Sequence, residues 1–196
     1  DLYDISFRFR LLLQIVISIL MMIFGGLFLS HVGNLFGFGA LEISYLGYLL
    51  TAVAVVGAIN AFNMVDGIDG LLGALATITF SSMGLLFYLN SEYALAAFCM
   101  VIVFAIMPYI LMNLGIPLGQ RFKIFMGDAG STVIGFTVIW LLLEGSQSGE
   151  GASFSPVTAL WLAAVPIIDA VSTISRRIKK GHSPFKPDRE HLHHIL

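Results

Sequence analysis

Six stretches of this chain are long, apolar and almost free of charge. Residues 11–29, 43–62, 71–89, 94–114 and 129–143 hold no Asp, Glu, Lys or Arg, and 157–175 holds only Asp169. A 19-residue helix rises roughly 28 Å, about one hydrocarbon core. In lipid every backbone N–H and C=O must find an internal partner, and a helix supplies those partners within one segment. Each run therefore predicts a membrane-spanning helix. The run 129–143 is the short one, roughly 22 Å by the same rise, and needs its flanks or a thinned bilayer. Hydrophobic residues make up 58% of the chain and charged residues 11%, with a mean hydropathy of +0.92, so little soluble mass remains. The expected fold is all-α: a polytopic integral membrane protein with about six transmembrane helices, forming one membrane-embedded domain over 1–196.

The basic residues set the orientation. With residues 1–10 inside, the other inner segments are 63–70, 115–128 and 176–196. Every Lys and Arg then lies inside: Arg8, Arg10, Arg121, Lys123, Arg176, Arg177, Lys179, Lys180, Lys186 and Arg189. The outer segments, near 30–42, 90–93 and 144–156, have none, which is the positive-inside pattern. The acids divide too. Glu42, Glu92, Glu144 and Glu150 fall outside, whereas Asp1, Asp4, Asp66, Asp69, Asp128 and Asp188 fall inside or at the inner boundary. Aspartates contribute little to orientation, so their gathering needs another reason. A face rich in both short carboxylates and cations suits a magnesium–pyrophosphate substrate.

Several classes drop out. The single Cys99 lies within a span, which removes a disulfide scaffold and a Cys-based zinc site. Residues 11–29 do not read as a signal peptide, because further spans follow and no small-residue cleavage site is evident. No P-loop, GxGxxG or internal repeat stands out. The chain starts at Asp1 without Met and is expected to be a fragment.

Three clusters carry the chemistry. The first is NAFNMVDGIDGLLG, residues 60–73, with Asp66 and Asp69 three apart in the brief gap between two spans. On a starting helix both carboxylates would share a face. Helix capping explains one of them more easily than two. The second is FMGDAGS, residues 125–131, where glycines allow close backbone approach, Asp128 opens a helix, and Arg121 and Lys123 lie just upstream. The third is the tail SPFKPDREHLHH, residues 183–194. Its histidines admit three readings: a zinc site, imidazoles serving phosphate oxygens or protons, and a solvated tail.

In this order the three clusters resemble the polyprenyl-phosphate N-acetylhexosamine-1-phosphate transferases of bacterial inner membranes, and the His-Leu-His-His form fits the N-acetylglucosamine branch. The resemblance implies transfer of N-acetylglucosamine 1-phosphate from UDP-N-acetylglucosamine to undecaprenyl phosphate, releasing UMP, as the first membrane step of cell-surface polysaccharide synthesis. It implies a cytoplasmic-facing site in the bacterial inner membrane, Mg²⁺ as cofactor with Mn²⁺ as a substitute, no nucleic-acid partner, and a homodimer as one possible assembly. By position, Asp128 matches the metal-binding aspartate. Asp66 and Asp69 match the second catalytic aspartate motif. Asp1 and Asp4 match the last two aspartates of a DDxxD motif whose first would precede this chain. Phe125 matches the aromatic stacked on uracil, and Asn63 and Asn113 fall at substrate-contacting positions. Arg189, His191, His193 and His194 belong to the loop credited with sugar and phosphate recognition.

The implied chemistry is phosphoryl transfer, by direct attack of the lipid phosphate or through a phospho-aspartate. The lipid tail needs an apolar groove, for which Gly57, Ala58 and Ala61 supply small residues. A cation-coupled transporter is the alternative from another class, disfavoured because the carboxylates gather at one face instead of the midplane.

Overall fold

The computed structural model describes residues 6–34, 41–116 and 119–179. Seven α-helices make up the described bundle: α1 (Phe7–Gly25), α2 (Leu46–Val65), α3 (Leu71–Leu89), α4 (Tyr93–Asn113), α5 (Gly127–Gln147), α6 (Pro156–Leu162) and α7 (Ala164–Lys179). Single 3₁₀ turns lie at Gln120–Phe122 and Gly149–Gly151. Among the described residues there is no strand, only an isolated antiparallel bridge between His31 and Glu42. Helices α1 to α5 are each long and apolar enough to cross a membrane, and α6 with α7 makes a sixth, broken span bent by 71°. The protein is a multi-pass membrane protein.

Three spans depart from their charge-free runs in a way that a local feature explains. Helix α1 stops at Gly25, because Gly26 takes a left-handed φ of 64° that caps the helix, so residues 27–29 belong to a loop. Helix α5 is longer than its run: 21 residues from Gly127 to Gln147, roughly 31 Å, so it matches the bilayer without thinning. Glu144 ended the charge-free run but sits near the C-terminal end of α5, and the helix continues past it to Gln147. The last span breaks just ahead of Pro166, whose ring cannot bond the carbonyl of Leu162. That carbonyl instead accepts the Thr79 hydroxyl at 3.2 Å.

Helices α3 and α4 pack as an antiparallel pair, and α2 lies against α5. Their shared core holds Phe62, Leu72, Phe80, Met83, Phe87, Cys99, Val138 and Leu141. Cys99 is wholly buried there and acts as a packing residue. At the α2–α5 crossing a Cβ on Gly135 would stand 2.8 Å from the Ile59 Cα, so only glycine lets these backbones meet. Helix α1 is peripheral. Only Gln14, Ser18 and Met21 are buried, one stripe along which the helix meets the described bundle. Gln14 accepts the Asn60 amide at 2.8 Å, a polar clasp that fixes α1 on α2.

This chain threading brings the N-terminus of α1, the α2–α3 and α4–α5 loops, and the C-terminus of α7 to one end of the bundle. Every described Lys and Arg lies at that end, and Glu42, Glu92 and Glu144 lie at the other.

Candidate active site

Two short loops carry the aspartate motifs, and buried side chains tie them together. Asn113, the last residue of α4, is fully buried. Its Oδ1 accepts the Gly70 N–H, and its Nδ2 donates to the Ile124 carbonyl at 2.7 Å. One amide thus joins DGIDG to the segment leading into FMGD. Gly70 adopts φ 75°, and an added Cβ would meet the Leu114 side chain at 2.8 Å, so the turn requires glycine. Asn113→Ala would leave the buried Gly70 N–H unpartnered, at a cost of about 1–3 kcal/mol, and would also free the part-buried Ile124 carbonyl. The expected result is a clearly lower melting temperature for the purified full-length variant; an unchanged one would show that Asn113 does not hold the loops.

Asp66 forms the second tie. Its Oδ2 accepts the Gly127 N–H at 2.9 Å and its Oδ1 accepts the Tyr109 hydroxyl at 3.2 Å. The first N–H groups of a helix have no partner within it. Asp66 therefore caps α5, a helix 61 residues downstream, and not the α3 helix that follows it in sequence. Burial pushes the Asp66 carboxyl above its ordinary pKa, and the negative charge of Asp128 adds to the rise; hydrogen bonds from Tyr109, Gly127 and Met126 oppose it.

Asp128, in the first turn of α5, is held from two sides. Its Oδ1 accepts the Asn63 amide at 2.9 Å, and its Oδ2 is ion-paired with Arg10 of α1. The Asn63 Nδ2 also meets Ser131 Oγ at 2.9 Å, and that hydroxyl donates to the Gly127 carbonyl at 2.9 Å. Asp69 is paired with Lys123. Phe125 stands exposed at the edge, its ring free of the core.

The structure thus gathers Asn63, Asp66, Asp69, Asn113, Phe125 and Asp128 at one end of the bundle. Asp1, Asp4, Arg189, His191, His193 and His194 lie outside the described residues. Arg10, Tyr109 and Ser131 join the site without having been singled out in the sequence. Arg10 reads there as one more inside cation, and Tyr109 as one more apolar-span aromatic. The single signal for Tyr109 is its helical spacing of one turn before Asn113.

A cavity of about 840 Å³ opens at this end and runs between α1, α2, α5 and the broken α6–α7 span. Arg10, Asn63, Gly67, Asp128 and Arg177 line its polar mouth. Ala54, Gly57, Ala58 and Ala61 of α2 line its wall, and Leu29, Ser146 and Pro156 line its far part. The small residues on α2 leave the space that larger side chains would fill.

Among the described residues no three His, Cys, Asp or Glu side chains converge as a ready-made metal cage. Mg²⁺ does not require one. It binds through one or two carboxylates and keeps water or substrate phosphates as its other ligands. Asp128 beside Asp66, at the edge of an open cavity, fits that donor set.

The sequence model described as glycosyl transferase family 4 matches residues 1–146. Over 196 residues the chain is 52% identical to an undecaprenyl-phosphate alpha-N-acetylglucosaminyl 1-phosphate transferase of Escherichia coli O157:H7. It is 54% identical to the protein of that name from Salmonella typhi and 47% identical to the one from Haemophilus influenzae. These alignments take in 100% of this chain and 53%, 53% and 55% of the relatives, so the chain spans about half the length of the curated relatives it matches. With its three motif clusters in order and its two aspartate loops joined at one end of a membrane bundle, the chain belongs to glycosyl transferase family 4.

Proposed function

We propose that the protein of which this chain is part transfers N-acetylglucosamine 1-phosphate from UDP-N-acetylglucosamine to undecaprenyl phosphate at the cytoplasmic face of a bacterial inner membrane. The product is a lipid-pyrophosphate-linked sugar, made at the start of cell-surface polysaccharide assembly, and UMP leaves. The single observation that carries this reading is the apolar cavity opening beside Asp128. A polyprenyl phosphate needs both of its features, a wall for the hydrocarbon and a charged mouth for the headgroup.

A lipid phosphate oxygen bonds to the β-phosphorus of the nucleotide sugar, and the bond from that phosphorus to the bridging oxygen of UMP breaks. Both reactants are anions, so positioning and charge neutralisation dominate the barrier. Asp128, with Asp66 beside it, would hold Mg²⁺, which when bound supplies positive charge to the pyrophosphate oxygens. Arg10 and Arg177 at the cavity mouth stand where the acceptor's headgroup would enter. Lys123 is held near the DGIDG loop by Asp69, available to the donor's phosphates. A phosphate monoester has a second pKa near 6, so little demand falls on a general base.

The test uses membranes containing the full-length protein, UDP-N-acetylglucosamine labelled in the sugar, undecaprenyl phosphate and Mg²⁺. Label should pass into the organic phase as UMP is released in equal amount. Proton- or cation-coupled uptake of a solute with no lipid product would overturn the reading in favour of a transporter.

A further inference from the structure

Arg10 stands at the cavity mouth on α1, beside Phe7 and Leu11 of the same helix. Its guanidinium is paired with one oxygen of Asp128, while the other oxygen takes the Asn63 amide. The carboxylate that has to meet a divalent cation is therefore already neutralised, from the cavity side. Two cations at contact distance from one carboxylate oxygen repel each other strongly in a partly desolvated site. A guanidinium cannot relieve that repulsion by losing its proton. It has to move to another anion.

The mouth of the cavity offers one. A chain lying along the apolar wall would leave its anionic headgroup among Arg10, Asn63 and Asp128. The planar donor fork of arginine suits a phosphate at least as well as a carboxylate. The side chains of Arg10 and Asp128 are 38% and 47% exposed, so the pair can separate without opening the core. Arg177 lines the same mouth but is only 8% exposed, which makes it the fixed cation of the two.

We propose that Arg10 is an exchangeable counter-ion that pairs with Asp128 before a divalent cation binds and with the acceptor lipid's phosphate afterwards, coupling the two binding events. The proposal rests on the reading of Asp128 as the metal ligand. Binding linkage is reciprocal: if the lipid phosphate draws Arg10 off Asp128, the metal must bind more tightly, and the metal must tighten the lipid by the same factor.

The experiment measures Mn²⁺ affinity of the full-length protein in lipid nanodiscs by electron paramagnetic resonance of free Mn²⁺. It is run without ligand and with undecaprenyl phosphate, undecaprenol or inorganic phosphate. Undecaprenyl phosphate should tighten Mn²⁺ binding by about fivefold or more, as for typical coupled sites, and undecaprenol should not. Arg10→Gln should bind Mn²⁺ more tightly than the wild type without any lipid, bind undecaprenyl phosphate more weakly, and show reduced coupling. Arg10→Lys keeps the charge without the fork and should fall between the two, with an unchanged melting temperature as the control for folding. Mn²⁺ affinity in Arg10→Gln equal to or below that of the wild type would overturn the exchange. Inorganic phosphate giving the full effect would overturn the lipid as its ligand. Asp128→Asn separates the two levels of the argument. If it binds Mn²⁺ like the wild type, the metal assignment itself fails; if it alone loses Mn²⁺ while Arg10→Gln behaves as wild type, only the exchange fails.

Discussion

Asp128→Asn in the full-length protein is expected to insert and fold normally and to show no measurable transfer at any usable Mg²⁺ concentration. The substitution keeps the size and shape of the side chain and leaves an oxygen to accept the Asn63 amide. What it removes is the ion pair with Arg10 and, on the proposed assignment, the anionic ligand for a hard cation. The pair is partly exposed, and such pairs contribute about 0–1 kcal/mol to stability. Loss of a group that neutralises charge in the transition state is far larger, roughly 10²–10³ in rate for a single donor, and an anionic metal ligand carries more than one donor's share. The two readouts therefore separate: melting temperature nearly unchanged, lipid-linked product absent. Wild-type turnover at saturating Mg²⁺ would remove Asp128 from the metal site.

Asp66→Asn and Asp69→Asn are expected to lose transfer as well, but their structural costs differ because their partners differ. Asp66 uses both oxygens, one for Tyr109 and one for the N-terminus of α5. An amide has one acceptor oxygen, so one of those bonds must go, and a lost helix cap costs about 0.5–2 kcal/mol. Against that, the ionised Asp66 is disfavoured by burial and by Asp128, and a neutral amide is relieved of both. The two effects offset, so the melting temperature should shift little. Asp69→Asn breaks only a partly exposed pair with Lys123 and should shift it less still. Transfer near the wild-type rate with lowered stability would make Asp66 a helix cap and nothing more.

The raised pKa of Asp66 adds a pH test with a definite sign. A carboxyl whose pKa lies above its ordinary value takes up its proton at a higher pH. Protonation replaces an acceptor oxygen at the N-terminus of α5 and removes the negative charge beside Asp128. In the metal-free protein the Asp66 carboxyl should therefore protonate, on acidification, above the usual carboxylate range, so Mn²⁺ binding should weaken with falling pH from above that range.

Much of the architecture was legible in the linear chain because lipid is a demanding solvent. A backbone without water must satisfy itself, so a charge-free run of about nineteen residues has essentially one solution, and basic residues confined to alternate loops orient the set. That logic placed the aspartate loops at one end before any contact was known. It failed at boundaries. Hydropathy could not see that Gly26 would cap α1 early, nor that α5 would continue past Glu144.

The site was legible as a set of residues but not as a set of partners. That Asp66 caps α5, that Asn113 is buried between two loops, and that Arg10 meets Asp128 across 118 residues depends on which helices lie side by side. Local spacing holds no record of this. Helix adjacency is decided by close packing, such as the contact of α2 and α5 at Gly135, and by buried clasps such as Gln14 with Asn60. The sequence alone determined a membrane bundle with its acidic motifs on one face, because each span must satisfy its own backbone. The tertiary structure decided which carboxylate meets which cation and where the cavity beside Asp128 lies, because those follow from side chains of distant segments competing for the same space.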